Sequence, residues 1–165
     1  MQSLTVRVHS EKQLHNLAAH LARLLQPPCV LALDGQLGAG KTSFVRGFVA
    51  ALHADGCVQV SSPTYALANS YCTQPVVHHL DLYRLDSLQH VWDLGLEELL
   101  LDERALVCVE WPKTFVVQMA IARLITLQLQ LGSTEHVCER VVHMSFSLQC
   151  PCAWYDAMQQ FVQQD

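Results

Sequence analysis

The sequence predicts an α/β domain whose central, mostly parallel sheet is flanked by helices. Two short runs, residues 29–33 and 105–109, are continuously apolar, as expected of strands buried on both faces of a parallel sheet. A glycine-rich turn follows the first run and leads into a stretch with helical spacing of apolar residues. Strand, turn and helix in this order form the first unit of an α/β fold.

The first half of the chain predicts two strand-helix pairs. Residues 4–8 alternate between apolar and polar side chains, which indicates a half-buried strand. Ser10 begins a capping box at the start of a helix, and Pro27-Pro28 ends that helix because proline cannot continue it. The apolar run at 29–33 is the second strand, and residues 43–52 form the second helix.

The second half predicts shorter elements of both kinds. Strands are expected at residues 58–60, 65–71, 76–82, 105–109, 124–131 and 141–146, and helices from Ser87, at 96–101 and after Pro151. No glycine- or serine-rich linker and no block of like charges divides the chain. We therefore expect residues 1–165 to form a single domain.

Composition and charge exclude several classes of protein. Among 165 residues, 51% are hydrophobic and 15% are charged, so extensive disorder is not expected. No window holds the ~18 consecutive apolar residues that a membrane span needs. The chain has 10 basic against 15 acidic residues and a net charge of -5, which disfavours direct, tight binding of a phosphate backbone.

The cysteines indicate a reducing compartment. There are seven of them, an odd number, and they are scattered along the chain. The one close pair, Cys150 and Cys152, is too tightly spaced for the usual zinc motif. We expect reduced thiols in a cytoplasmic protein.

Residues 35–42, Gly35-Gln36-Leu37-Gly38-Ala39-Gly40-Lys41-Thr42, fit the spacing of a phosphate-binding loop. Glycines let successive backbone N–H groups face one concavity, and the following helix adds its positive N-terminal end. Lys41 is expected to reach the β- and γ-phosphates, and the Thr42 hydroxyl to bind Mg²⁺. The sequence therefore predicts a P-loop NTPase-like domain that binds a nucleoside triphosphate.

Two carboxylates are the candidates for the remaining chemistry. Asp81 and Glu110 each lie at the C-terminal end of an apolar strand, the sheet edge at which ligands bind in open α/β proteins. We expect one of them on the metal side and one near the attacking water. Zinc binding by His78 and His79 is disfavoured, since adjacent strand residues point to opposite faces.

Four short motifs taken together are similar to those of a known family. In chain order they are Leu37-Gly38-Ala39-Gly40-Lys41-Thr42, Ser62-Pro63-Thr64-Tyr65, His79-Leu80-Asp81-Leu82-Tyr83-Arg84 and Glu110-Trp111-Pro112. Their order and spacing resemble the TsaE family, small bacterial ATPases needed for the N6-threonylcarbamoyladenosine modification of tRNA at position 37. The resemblance extends from about Ser10 to Trp111.

The resemblance implies a role for each matching residue. ATP and Mg²⁺ are the implied cofactors, and the metal ligands would be Thr42 and Glu110. Asp81 is similar to the acid that positions or activates the attacking water, and Thr64, in a switch segment, would face the γ-phosphate. The nucleotide would otherwise contact Glu11 near its base end, Trp111 at its side, and Gly38, Ala39, Gly40, Lys41, Thr42 and Ser43 around its phosphates.

The resemblance also implies partners. These are a TsaD-like threonylcarbamoyl transferase subunit and its TsaB-like partner, with tRNA held only indirectly through that complex and no membrane involved. Gln36 and Lys113 depart from the residues usual in the family.

Two alternatives come from other classes. A small-molecule kinase would carry an arginine-rich lid, whereas the seven arginines here are dispersed. A nucleotide-dependent binding switch of the guanine-nucleotide type would carry an Asn-Lys-x-Asp motif, which the sequence lacks.

Overall fold

The protein is represented by a computed structural model that describes residues 1–114, 116, 123–132 and 138–164. Seven strands and five helices lie in this part of the chain. The strands are β1 Gln2–Val8, β2 Cys29–Asp34, β3 Ala68–Tyr71, β4 Val76–Asp81, β5 Ala105–Glu110, β6 Leu124–Leu131 and β7 Arg140–Phe146. The helices are α1 Glu11–Leu24, α2 Lys41–Leu52, α3 Leu88–Asp93, α4 Leu96–Leu100 and α5 Cys152–Gln164.

The strands form one sheet in the order β1-β7-β6-β2-β5-β4-β3. The four central strands β4, β5, β2 and β6 are mutually parallel. The outer pairs β3–β4, β6–β7 and β1–β7 are antiparallel. The predicted α/β fold is confirmed, with parallel pairing in the centre and antiparallel pairing toward both edges.

Two apolar cores lie on the two faces of this sheet. Alternate residues of β2 enter different cores: Leu31 packs with side chains of α1, α2 and α5, and Val30 packs with side chains of α3 and α4. The continuous apolar run of β2 therefore serves both cores, which is the reason that such a run marks a central strand.

The start of α1 follows the capping prediction. Ser10 is the N-cap residue, and its side chain accepts a hydrogen bond from the backbone N–H of Gln13. This bond satisfies one of the N–H groups that the first turn leaves unpaired. No helix among the described residues has both the length and the apolar character needed to cross a membrane.

One strand prediction is wrong, and a second is wrong in extent. Residues 58–60 form no strand, and the strand predicted at 65–71 begins only at Ala68. Val60 is buried in the core and Gln59 is exposed, so the segment alternates in burial without pairing in the sheet. Residues 64–66 form a turn. The expectation of a single domain over 1–165 includes positions outside the described residues, and it stays a prediction.

Candidate active site

The loop between β2 and α2 depends on glycine at two positions. Gly35 has φ of 142°, and a Cβ there would clash with the Leu129 carbonyl oxygen. Gly40, with φ of 107°, is the N-cap of α2 and provides no side-chain cap. The first N–H groups of α2 thus have no side-chain acceptor at the cap and, together with the helix dipole, favour an anion.

Lys41 lies almost wholly buried inside this loop. Its Nζ donates to the carbonyl oxygens of Gly35 at 2.6 Å and Gln36 at 3.0 Å, and it lies 3.6 Å from the centroid of the Trp111 ring. Burial lowers the pKa of Lys41, although nearby carboxylates, Glu110 foremost, act in the opposite direction. The ammonium group is therefore held by neutral carbonyls and an aromatic face, all of which a phosphate group could replace.

The expected metal-side residues are in direct contact. The Thr42 hydroxyl donates to Glu110 Oε1 at 2.7 Å. His79 Nε2 lies 2.9 Å from the same oxygen, and its side chain is fully buried. Glu110 ends β5 and is itself buried, and it contributes to the lining of the cleft between β5 and the loop.

Asp81 lies beside Glu110 because the two strands are parallel and in register. The two residues are direct partners in the β4–β5 pairing. Asp81 Oδ2 accepts hydrogen bonds from the hydroxyls of Ser62 at 2.7 Å and Thr64 at 2.6 Å, and Oδ1 accepts one from the Tyr83 backbone at 3.0 Å. Burial alone would raise the pKa of Asp81, but these three donors outweigh burial, so the pKa lies below its ordinary value.

The segment 62–65 closes over Asp81 through its hydroxyl groups. The Ser62 and Thr64 hydroxyls are 2.7 Å apart as well as bonded to Asp81. Tyr65 is exposed, and the Arg84 guanidinium lies 4.5 Å from the centroid of its ring. Arg84 therefore stacks on this segment in the structure.

Trp111 forms a wall of the cleft from an unusual backbone conformation. Its φ is 56°, in the left-handed region that few non-glycine residues adopt. Its N–H donates to the Leu33 carbonyl at 3.1 Å, and its ring lies 5.1 Å from that of Tyr83. Strained backbone of this kind is concentrated at functional sites.

These groups surround one cleft of about 480 Å³. It is lined by Leu37, Gly38, Gly40, Lys41, Thr42, Ser43, Ser62, Thr64, Asp81, Tyr83, Glu110 and Trp111. Nine of the eleven residues that the sequence predicts for the site are therefore together in this cleft. Ala39 is fully buried within the loop, and its carbonyl accepts from Arg140 Nε at 3.0 Å.

Glu11 lies beside the cleft, in a neighbouring cavity of about 300 Å³. Its Oε1 accepts a hydrogen bond from the Ser43 hydroxyl at 2.7 Å, which lowers the pKa of Glu11. Gly38, Gly40 and Ser43 line both cavities. Glu11 is thus joined to the helix end of the loop and separate from the carboxylate pair.

The sequence interpretation missed several residues at the site. Ser62 and Tyr83 are members of the motifs with no predicted role of their own, yet the Ser62 hydroxyl donates a hydrogen bond to Asp81 and Tyr83 lines the cleft. His79 belongs to the third motif, but the sequence suggests no role for it beyond the disfavoured one of zinc ligand. The period of two along a strand could have identified it, because His79 and Asp81 are two residues apart and share a face.

The fold and the site together define a class of protein. Parallel strands that end beside a glycine-rich loop, a buried loop lysine and two strand-end carboxylates are features of the P-loop NTPase-like fold. The family model for "Threonylcarbamoyl adenosine biosynthesis protein TsaE" matches residues 8–142. The chain therefore belongs to the TsaE family.

Curated relatives agree with this membership, and each is named tRNA threonylcarbamoyladenosine biosynthesis protein TsaE. The Rickettsia felis protein is 32% identical over 142 residues, which cover 85% of this chain and 81% of the relative. The Borreliella burgdorferi protein is 31% identical over 131 residues, covering 79% and 93%. The Aquifex aeolicus protein is 36% identical over 107 residues, covering 64% and 74%.

A solved structure has the same fold. The crystal structure of Bacillus subtilis YdiB matches with a TM-score of 0.71, and the match covers 99% of this chain and 97% of the YdiB chain. The sequence identity is 20%, so the likeness bears on the fold alone.

Proposed function

We propose that this chain is a Mg²⁺-dependent ATPase that acts in the threonylcarbamoyladenosine modification of tRNA. The observation that carries the proposal is the register of β4 and β5, which brings Asp81 and Glu110 side by side within the cleft that holds Lys41 and Thr42. Family membership supplies the pathway, and the cleft supplies the groups that phosphoryl transfer needs.

Phosphate binding would use the loop backbone and Lys41. The uncapped N–H groups at the start of α2 attract negative charge, and the Lys41 ammonium would exchange its two carbonyl acceptors for β- and γ-phosphate oxygens. A charged acceptor makes a stronger hydrogen bond than a neutral carbonyl does. The nucleoside would extend past Ser43 toward Glu11, in the adjoining cavity.

The donors at the metal side fit Mg²⁺. Thr42 and Glu110 provide a hydroxyl and a carboxylate 2.7 Å apart in the cleft, and Mg²⁺ prefers oxygen ligands and uses few protein carboxylates beside phosphates. When bound, the ion would offset the charge on the phosphate oxygens. Thr42 and Glu110 would hold it, and both are already fixed to each other by their hydrogen bond.

Asp81 is the group proposed to hold the attacking water. Its lowered pKa keeps it ionised at neutral pH, so it acts chiefly as an acceptor that orients the water. The Ser62 and Thr64 hydroxyls occupy Oδ2 in the structure, and a water would replace one of them. Movement of the 62–65 segment would thereby be linked to the readiness of Asp81.

The proposed partners are a TsaD-like transferase subunit and its TsaB-like partner, in the cytoplasm where tRNA is modified. The net charge of -5 agrees with tRNA being held by the partners, since tight binding of a phosphate backbone needs a basic surface. This chain would supply the nucleotide-driven step of the complex.

The test of this function is ATP hydrolysis with and without the partners. A cation that neutralises the charge developing on the γ-phosphate raises the rate ~10³–10⁵-fold. Arg84 is the nearest candidate for this cation, but in the structure its guanidinium stacks on the Tyr65 ring. We therefore expect the purified chain to turn over well below ~1 s⁻¹, under the usual enzyme range, and to accelerate when the transferase subunits are added. Fast turnover that ignores the partners would contradict a regulated subunit and indicate a self-sufficient enzyme.

Removal of the Glu110 carboxylate should weaken nucleotide binding only when Mg²⁺ is present. We expect Glu110→Ala to lose most of the gain in ADP affinity that Mg²⁺ provides, because Thr42 is then left without its partner and the ion loses a charged ligand. Calorimetric titration of ADP with Mg²⁺ and with EDTA measures this gain. Glu103→Ala, the same change at an exposed acid, is the control, and an equal loss of affinity in EDTA would contradict the metal role.

A further inference from the structure

His79 is a buried histidine whose place in the site the family assignment leaves unexplained. Its side chain has 0% exposure, although the ring is polar. It lies on β4 two residues before Asp81, on the same face of the sheet, and the strand pairing places it beside β5. Buried polar groups are costly unless they are hydrogen-bonded, so the partner of this ring matters.

The partner is the Glu110 carboxylate. His79 Nε2 lies 2.9 Å from Glu110 Oε1. A carboxylate only accepts hydrogen bonds, so Nε2 carries the hydrogen and donates it. The Thr42 hydroxyl donates to the same oxygen. Oε1 is therefore held by two donors from two different elements, whereas Oε2 has no hydrogen bond within the described residues.

Within the described residues, Glu110 is the only hydrogen-bond partner of the His79 ring. His79 Nδ1 is buried and has no hydrogen-bond partner among the residues described, and the same holds for the Tyr71 hydroxyl. The rings of Tyr71 and His79 are stacked with their centroids 6.4 Å apart. Packing therefore fixes the plane of the His79 ring, and its one hydrogen bond is directed to Glu110.

The adjacent histidine shows a different arrangement. His78 lies 2.8 Å from the Ser70 hydroxyl and 3.3 Å from Asp102 Oδ2. It joins β4 to β3 and to the segment before β5, and in the described part of the chain its hydrogen bonds go to these two residues, neither of which lines the cleft. The two neighbouring histidines therefore differ in their hydrogen bond to Glu110, which His79 makes and His78 does not. This difference makes His78 a matched control.

We propose that His79 is a positioning residue that holds the Glu110 carboxylate, through Oε1, in the orientation in which its other oxygen can serve Mg²⁺. This inference rests on the proposed function. A carboxylate held by Thr42 and His79 has already lost the rotational freedom that binding an ion would otherwise remove. Groups that orient metal-binding carboxylates in this way typically contribute about 10- to 100-fold to metal affinity.

The test compares variants that keep or remove the donor. In His79→Gln the amide nitrogen is as many bonds from Cβ as Nε2 is, so the hydrogen bond to Glu110 can persist. His79→Asn is one methylene shorter and cannot reach, and His79→Leu has no donor. His78→Leu is the control for loss of a buried histidine on the same strand. The readout is the apparent dissociation constant for Mg²⁺ at saturating ADP, by calorimetry, with ADP affinity in EDTA measured alongside.

We expect the Mg²⁺ dissociation constant to rise about 10- to 100-fold in His79→Leu and His79→Asn, with His79→Gln and His78→Leu near wild type and ADP affinity in EDTA unchanged. If His79→Leu does not fold, the Gln and Asn pair makes the same comparison. Unchanged Mg²⁺ affinity in the donor-free variants would overturn the proposal, and so would an equal loss in His79→Gln or in EDTA. Absence of any Mg²⁺ effect in the wild type would instead refute the metal site of the proposed function.

Discussion

Lys41→Ala is expected to weaken ATP binding about 10- to 100-fold and to abolish measurable hydrolysis. Hydrogen bonds to charged groups contribute roughly 1.5–3 kcal/mol each, and each 1.4 kcal/mol corresponds to about tenfold in affinity. In the structure the ammonium lies inside the loop, 2.6 Å from the Gly35 carbonyl and against the Trp111 ring. Hydrolysis loses more than binding, since charge on the transferred phosphoryl group grows toward the transition state.

The measurements are ATP affinity by calorimetry and steady-state phosphate release. Lys12→Ala is the matched control, because Lys12 is an exposed lysine on α1 that is absent from the cleft. Both variants should melt close to the wild type. If Lys41→Ala binds and hydrolyses ATP as the wild type does, residues 35–42 are not a phosphate-binding loop and the proposed function fails.

The conformation of the 35–42 loop could be predicted because all the information for it is local. Glycine spacing, the lysine and the hydroxyl residue are contiguous in sequence, and the flanking strand and helix have clear periods. Gly35 and Gly40 adopt the positive φ that the motif needs. The proximity of Asp81 to Glu110 was also predictable, since it follows from the parallel pairing of two strands that end at one edge.

The details within the cleft were not predictable in the same way. The contact between His79 and Glu110 and the contact between Lys41 and the Trp111 ring depend on side-chain positions across separate strands. Periodicity fixes the face on which a side chain lies, but not the atom that it meets. The strand prediction for residues 58–60 was wrong for a related reason, because a segment can alternate in burial without a neighbouring strand to hydrogen-bond with.

Under the proposed function, nucleotide binding would be coupled to movement of the site. Lys41 is bonded to loop carbonyls, and Asp81 is bonded to the Ser62 and Thr64 hydroxyls. Both groups are thus satisfied internally, and each would have to exchange partners to perform its proposed role. For Lys41 the exchange would require little movement, because phosphate oxygens, which carry charge, would replace the two neutral carbonyl acceptors. For Asp81 it requires a shift of the 62–65 segment, and a partner protein could control that shift.

Asp81→Asn is expected to spare ATP binding and to lower hydrolysis by ~10²–10⁴-fold, the range that a positioned acid or base contributes. The amide has nearly the same shape, and it can still accept from the Tyr83 backbone and pair with the Ser62 and Thr64 hydroxyls. It loses the negative charge that would hold a water. A fall in kcat with ATP affinity retained is the signature of an interaction made mainly in the transition state.

The charge of Asp81 should also be visible in its effect on stability. Because the pKa of Asp81 is lowered by folding, its carboxylate stabilises the fold above the pKa of the unfolded chain, and this contribution is lost as the pH falls through the folded pKa. The difference in melting temperature between wild type and Asp81→Asn should therefore be largest near neutral pH and shrink in acid. Asp86→Asn, at an exposed acid outside the cleft, is the control and should hydrolyse ATP as the wild type does. Hydrolysis by Asp81→Asn at the wild-type rate would remove Asp81 from the reaction, and a matching loss of ATP affinity would place it on the binding side with Glu110.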